Sequence, residues 1–175
     1  MIRGFGVAVL IAAFVSAFST TPAVAHDQQI SGTYTGTAHV YPATPLGPYS
    51  GYLTANVGQG SLAGSTVVAV YSVSQVTSNH LDPGAVNVVV IWSPSGALVG
   101  VATSYQFSPD PPCAGVGCVT KGAVLTIHVT GGTGRFKGIE GGALAMTQDA
   151  TDLDNGFPGP FVQSMTGTIS GSLER

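Results

Sequence analysis

The chain has 175 residues, only 7% of them charged, and a formal net charge of −3. A typical soluble domain carries roughly 25% charged residues. Five Lys and Arg residues cannot neutralise a run of phosphates, so nucleic acid is excluded as a partner. Hydrophobic residues make up 44% and glycines number 25, which excludes a charge-rich disordered chain and a long helical protein.

Residues 1–25 have the pattern of a secretory signal peptide. Arg3 gives a short positive start, Gly4–Phe18 is an uncharged and mostly apolar run, and Ala23-Val24-Ala25 is a small-residue cleavage site. The run is shorter than the ~20 residues that a spanning helix needs. Cleavage is expected after Ala25, leaving 26–175 as a single domain, secreted or periplasmic. Export sets the reading of the two cysteines. Cys113 and Cys118 flank Ala-Gly-Val-Gly, and outside the cytoplasm such a pair is expected to form a disulfide. No His or Cys cluster accompanies them, so no metal site is expected.

From residue 26 onward there is no helical periodicity. Runs rich in Val, Ile, Thr and Tyr alternate with Gly, Pro, Asn and Asp clusters, and they predict strands. In chain order these are Ser31–Tyr41, Gly51–Val57, Ser65–Thr77, Ala85–Trp92, Leu98–Phe107, Gly122–Thr130, Glu140–Gln148 and Gln163–Leu173. Eight short strands without crossover helices imply antiparallel pairing, in a closed barrel or a two-sheet sandwich. Closure is favoured, because so few charges cannot protect open sheet edges.

Alternation assigns faces. Leu125, Ile127 and Val129 oppose Val124, Thr126, His128 and Thr130; Ile30, Tyr34, Ala38 and Val40 oppose Ser31, Thr33, Thr35, Thr37 and His39. Val67–Tyr71 and Val86–Trp92 are apolar on both faces, which calls for an outer cover; a homo-oligomer is expected. The rival is an outer-membrane barrel. The low aromatic content, the Ser/Thr-rich first strand and the polar C-terminal Leu173-Glu174-Arg175 argue against it.

The most distinctive stretch runs Val129-Thr130-Gly131-Gly132-Thr133-Gly134-Arg135-Phe136-Lys137-Gly138-Ile139-Glu140-Gly141-Gly142-Ala143-Leu144. It reads as a strand, a glycine turn, a plug residue and a new strand. Phe136 between two cations is expected to turn inward and close one barrel end, with Arg135 and Lys137 left in water. A phosphate loop is not supported, because no helix follows Gly134.

Gly131, Gly132, Thr133, Gly134, Phe136 and Gly141 resemble the glycine signature of the allene oxide cyclase/dirigent superfamily; Ile139 stands where a smaller residue is usual. The resemblance covers roughly Leu98 to Leu173, and the Pro-rich turn at Thr44-Pro45-Leu46-Gly47-Pro48 is similar to an early turn of dirigent proteins. It implies an eight-stranded, calycin-type antiparallel β-barrel, usually trimeric, whose mouth holds an apolar small molecule and steers its cyclisation or coupling without a cofactor. The acidic residue found on the first strand of the plant cyclases has no counterpart in Ser31–Tyr41, where Tyr34 and His39 are the only candidates. Most other acids fall in turns or at ends, Asp152 included.

His128 is the leading single candidate for a catalytic role, since it sits in mid-strand and imidazole is the side chain most used for acid–base work. Tyr34, Tyr71, Trp92, Tyr105 and His128 are candidates to line the cavity. His80 reads as a turn residue. Asp149–Gly156 lacks the spacing of a calcium loop. Two functions follow. One is an exported pocket protein that binds or conformationally steers an apolar ligand. The other is a non-catalytic extracellular structural or interaction barrel, filled by its own side chains.

Overall fold

In a computed structural model of the chain, the structure describes residues 27–42, 49–75, 80–81, 87–106, 116–154 and 160–175. The expected signal peptide 1–25, the turn at Thr44–Pro48 and Cys113 lie outside the described residues.

Nine strands form: β1 Gln28–Pro42, β2 Tyr49–Gln59, β3 Thr66–Gln75, β4 His80–Leu81, β5 Val88–Ser93, β6 Gly96–Gln106, β7 Val119–Gly132, β8 Gly141–Asp152 and β9 Phe161–Glu174. Eight of them pair in the order β2-β1-β9-β8-β7-β6-β5-β3, and a β2–β3 pairing closes the ring. All the pairings are antiparallel. The chain is therefore a closed eight-stranded antiparallel β-barrel, and closure leaves no unpaired edge to protect. The two-residue β4 is an addition to the sequence reading; it pairs with the end of β3 where a plain turn is expected. Several strands outrun their expected limits. The largest extension is in β8, which continues through Asp149 to Asp152 because the polar stretch keeps pairing with Gln163–Thr166.

The barrel interior is apolar and alternates as the pattern requires. Ala123, Leu125, Ile127 and Val129 are buried on β7, as are Val89 and Ile91 on β5 and Val67, Ala69 and Val73 on β3. Burying such side chains is the main source of stability, at about 25 cal/mol per Å² of apolar surface.

One end is closed by the turns between β2 and β3, β5 and β6, and β7 and β8. Leu62, Phe136, Ile139 and Leu173 fill that end, none of them more than 5% exposed. Phe136 sits on a 3₁₀ turn at Gly134–Phe136, and the Arg135 guanidinium lies 4.6 Å above its ring. The fit depends on Gly134, whose φ is +58° and whose missing side chain lets the Ser95 carbonyl approach. Arg135 N–H and Thr133 N–H donate to the carbonyls of Ser95 and Ala97 at 2.8 Å each, locking this turn to the β5–β6 turn. The opposite end is where β1, β3, β6 and β8 finish. The connections there lie largely outside the described residues.

The outer surface is divided. Across β1, β9 and β8 it is clad in hydroxyls, with Thr33 and Thr147 both paired opposite Thr168. Across β3, β5 and β6 it is apolar: Val68, Val70, Val99 and Val101 are exposed, and Trp92 is 55% exposed. No helix of the described residues is long and apolar enough to cross a membrane.

Candidate functional site

Three of the tyrosines singled out in the sequence point into the barrel. Tyr34 shares its face of β1 with Ile30 and Ala38, and Tyr71 shares its face of β3 with Ala69 and Val73. Tyr105 needs a further device. On β6 the buried residues are Leu98, Gly100 and Ala102, so strict alternation would send Tyr105 outward. A register shift between Ala102 and Ser104 moves the inward face from even to odd positions. A β-bulge of this kind re-aims every side chain beyond it. Tyr105 is left 7% exposed.

Tyr71 and Tyr105 stack with ring centroids 5.5 Å apart. Both hydroxyls donate to Oε1 of Gln148, at 3.5 and 3.3 Å. Gln148 comes from the middle of β8, paired opposite Ala123 on one side and Gly167 on the other. It is 1% exposed, and its Nε2 finds no hydrogen-bond partner among the described residues. A buried amide N–H left unpaired costs about 1–3 kcal/mol, which is why such groups are rare. Tyr34 closes the cluster by donating to the Thr147 carbonyl at 2.9 Å. Burial pushes the Tyr71 hydroxyl up to about 12. It also raises Tyr34 and Tyr105, with neighbouring charges, Tyr71 first in each case, adding to the effect. All three are neutral hydrogen-bond donors at physiological pH.

Beyond this tier, toward the end opposite Phe136, lies a carboxylate. Asp152 ends β8 on the same inward parity as Leu144, Met146, Gln148 and Ala150. It is 9% exposed. Gln163 Nε2 donates to its Oδ1 at 2.8 Å. Burial raises its pKa above the usual carboxylate value, and the charge of Asp154 adds to the shift.

His128, Trp92 and His39 face outward. On β7 the odd residues are buried, which turns His128 into solvent opposite Val101. On β5 Val89, Ile91 and Ser93 are buried, so Trp92 projects outward and does not line the interior. His39 lies on the outer face of β1, stacked 4.7 Å from the Tyr52 ring. His80 lies in β4. Gly131, Gly132, Thr133, Gly134, Phe136 and Gly141 lie at the closed end of the barrel, at the opposite end of β8 from Asp152. No group of three His, Cys, Asp or Glu residues among those described could hold a metal. Cys118 is half-buried just before β7; its expected partner Cys113 is outside the described residues.

The sequence reading missed Gln148 and placed Asp152 in a turn. Extending the alternation of β8 from Leu144 and Met146 would have put both inside. The chemistry available is therefore a tier of neutral donors, one uncommitted amide, and one carboxylate beyond them.

No protein-family model matches the chain, and no curated protein matches it. Among solved structures, the chain is similar to a pterocarpan synthase dirigent protein. The identity is 14%, the match covers 89% of this chain and 98% of that one, and the TM-score is 0.39.

Proposed function

We propose that this protein is an exported pocket protein, whose barrel binds an apolar small molecule and fixes its conformation. The observation that supports this best is Nε2 of Gln148, without a partner among the described residues and set beside Tyr34, Tyr71 and Tyr105 between the apolar Met146 and Ala150 of the same inward face. A purely structural core would be better served by apolar side chains there. An apolar ligand bearing one acceptor oxygen, such as an aryl ketone, would satisfy the amide and lie along the stacked rings. Holding such a ligand in one shape is how a cofactor-free barrel can steer a cyclisation or coupling.

The test is a fluorescence titration with an alkanoyl-naphthalene ketone. Saturable, blue-shifted binding by the wild-type protein, weakened in Gln148→Leu, is the expected result. An absence of binding to this probe and to a panel of similar ketones would leave a side-chain-filled structural barrel as the better reading.

Two features complete the proposal. The apolar outer face of β3, β5 and β6 is covered by further copies of the chain, which size measurements on the mature protein check. Cys113 and Cys118 are bridged, which an unchanged mass after alkylation without reductant checks.

A further inference from the structure

The Gln148 reading leaves Asp152 without a task. Its carboxyl faces the barrel interior at the end opposite Phe136, nine-tenths buried. Its backbone is fixed to the segment before β7, because its N–H donates to the Cys118 carbonyl and its carbonyl accepts from Gly117, each at 2.9 Å. Gln163 holds Oδ1 in place. Every other charged side chain among the described residues is exposed. The one charge that the interior presents is therefore negative, and no buried cation accompanies it among these residues.

A buried carboxylate is costly unless it is paired. For a merely structural role Asn would serve as well, since its Oδ1 would accept the same bond from Gln163 without the charge. Along an extended strand, the four residue steps from Gln148 to Asp152 span about 13 Å. Between them the inward residues are Ala150 and, opposite it, Met165, both apolar. Among the described residues the interior thus presents an amide donor without a partner, an apolar stretch, and an anion toward the end opposite Phe136.

We infer that the ligand is an elongated apolar molecule ending in a protonated amine, whose ammonium pairs with Asp152 while its body reaches toward Gln148. This rests on the pocket function proposed above. An anionic amphiphile is disfavoured, because its carboxylate would face Asp152 and meet no interior cation. A neutral alcohol makes the same contacts without the charge-assisted bond.

The test uses three probes that share an alkanoyl-naphthalene body and differ only at the chain end: primary amine, hydroxyl or carboxylate. On the wild-type protein the amine probe binds about tenfold more tightly than the hydroxyl probe, and the carboxylate probe binds most weakly. Asp152→Asn removes the amine advantage and leaves the hydroxyl probe within about threefold, while Asp154→Asn, an exposed neighbour, leaves the ranking intact. The wild-type ranking stands on its own should Asp152→Asn fail to fold. Equal binding of amine and hydroxyl probes, or a preference for the carboxylate, would overturn the inference while the pocket stands. An amine preference that survives in folded Asp152→Asn would overturn the role of Asp152. If none of the three binds, the pocket itself is wrong and the inference falls with it.

Discussion

Inside the barrel, the Tyr105 hydroxyl donates to Oε1 of Gln148 at 3.3 Å, yet Nε2 of the same amide has no partner among the described residues. One side of the amide is served by two tyrosines and the other side is left open. A half-satisfied buried network is less stable than an apolar core of the same shape.

The first prediction follows from that asymmetry. The triple variant Gln148→Leu/Tyr71→Phe/Tyr105→Phe removes the whole network together with the orphaned N–H. It is expected to melt at or above the wild-type temperature, within about 1 kcal/mol or more stable, while binding of the ketone probe is lost. A large drop in melting temperature would mean that the cluster is structural.

Gly167 tests how Tyr34 is seated. A Cβ at this position would collide with the Thr147 carbonyl and come within 2.8 Å of the Tyr34 hydroxyl. Gly167→Ala is expected to destabilise the barrel by roughly 1–3 kcal/mol in urea unfolding. Adding Tyr34→Phe is not expected to restore it, because the nearer obstacle is backbone. Restoration would show that the ring, and not the β8 strand, sets the limit.

The buried tyrosines also set a pH dependence. Their folded-state pKa values are raised above 10, Tyr71 to about 12. Between the unfolded and folded values the native state holds more protons, so stability falls as pH rises. The contribution is fully present below pH 10 and is lost as pH climbs through about 12, at up to about 1.4 kcal/mol per pH unit per tyrosine. Melting curves should be flat with respect to these groups up to pH 10 and then fall, less steeply in Tyr71→Phe. An unchanged slope in that variant would contradict the burial of Tyr71.

Asp152 gives the acid-side counterpart. Its folded pKa is raised, so folding favours the protonated form. That contribution is present below the unfolded value of about 3.9 and is lost as pH rises through the raised folded value. Asp152→Asn should therefore raise the melting temperature at pH 7 and make little difference near pH 3. A variant less stable than wild type at neutral pH would argue that the ionised carboxylate is already paired.

Much of the fold was legible in the sequence, for reasons that individual residues make plain. Period-two alternation marks Leu125, Ile127 and Val129 as buried because a pleated strand has only two faces. The Gly131–Phe136 stretch is readable because positive φ and a close carbonyl admit only glycine at Gly134. The site was less legible. Tyr105 reaches the interior through a bulge, and a bulge changes parity without changing composition. Asp152 looked like a loop residue because its neighbours are polar, but strand pairing with Gln163 carries β8 past them. Trp92 and His128 were suspected on residue type, and parity overrode type in both.

Val70 and Trp92 test the outer face. Val70 pairs with Val88, which pairs with Val101, giving an unbroken apolar row across three strands. Val70→Glu places a charge in the middle of that row. Sedimentation velocity is expected to show a discrete oligomer for the wild type and a monomer for the variant. A wild-type protein that is monomeric at micromolar concentration would contradict the proposed cover.

The most direct measurement is native mass spectrometry of the mature protein, purified without detergent from the export fraction of its own host. The account predicts a discrete mass increment from a small apolar molecule on the wild-type protein, and its absence from the Gln148→Leu/Tyr71→Phe/Tyr105→Phe variant prepared alongside. A bare polypeptide mass for the wild type, with a crystallographic water on Gln148 Nε2, would contradict it.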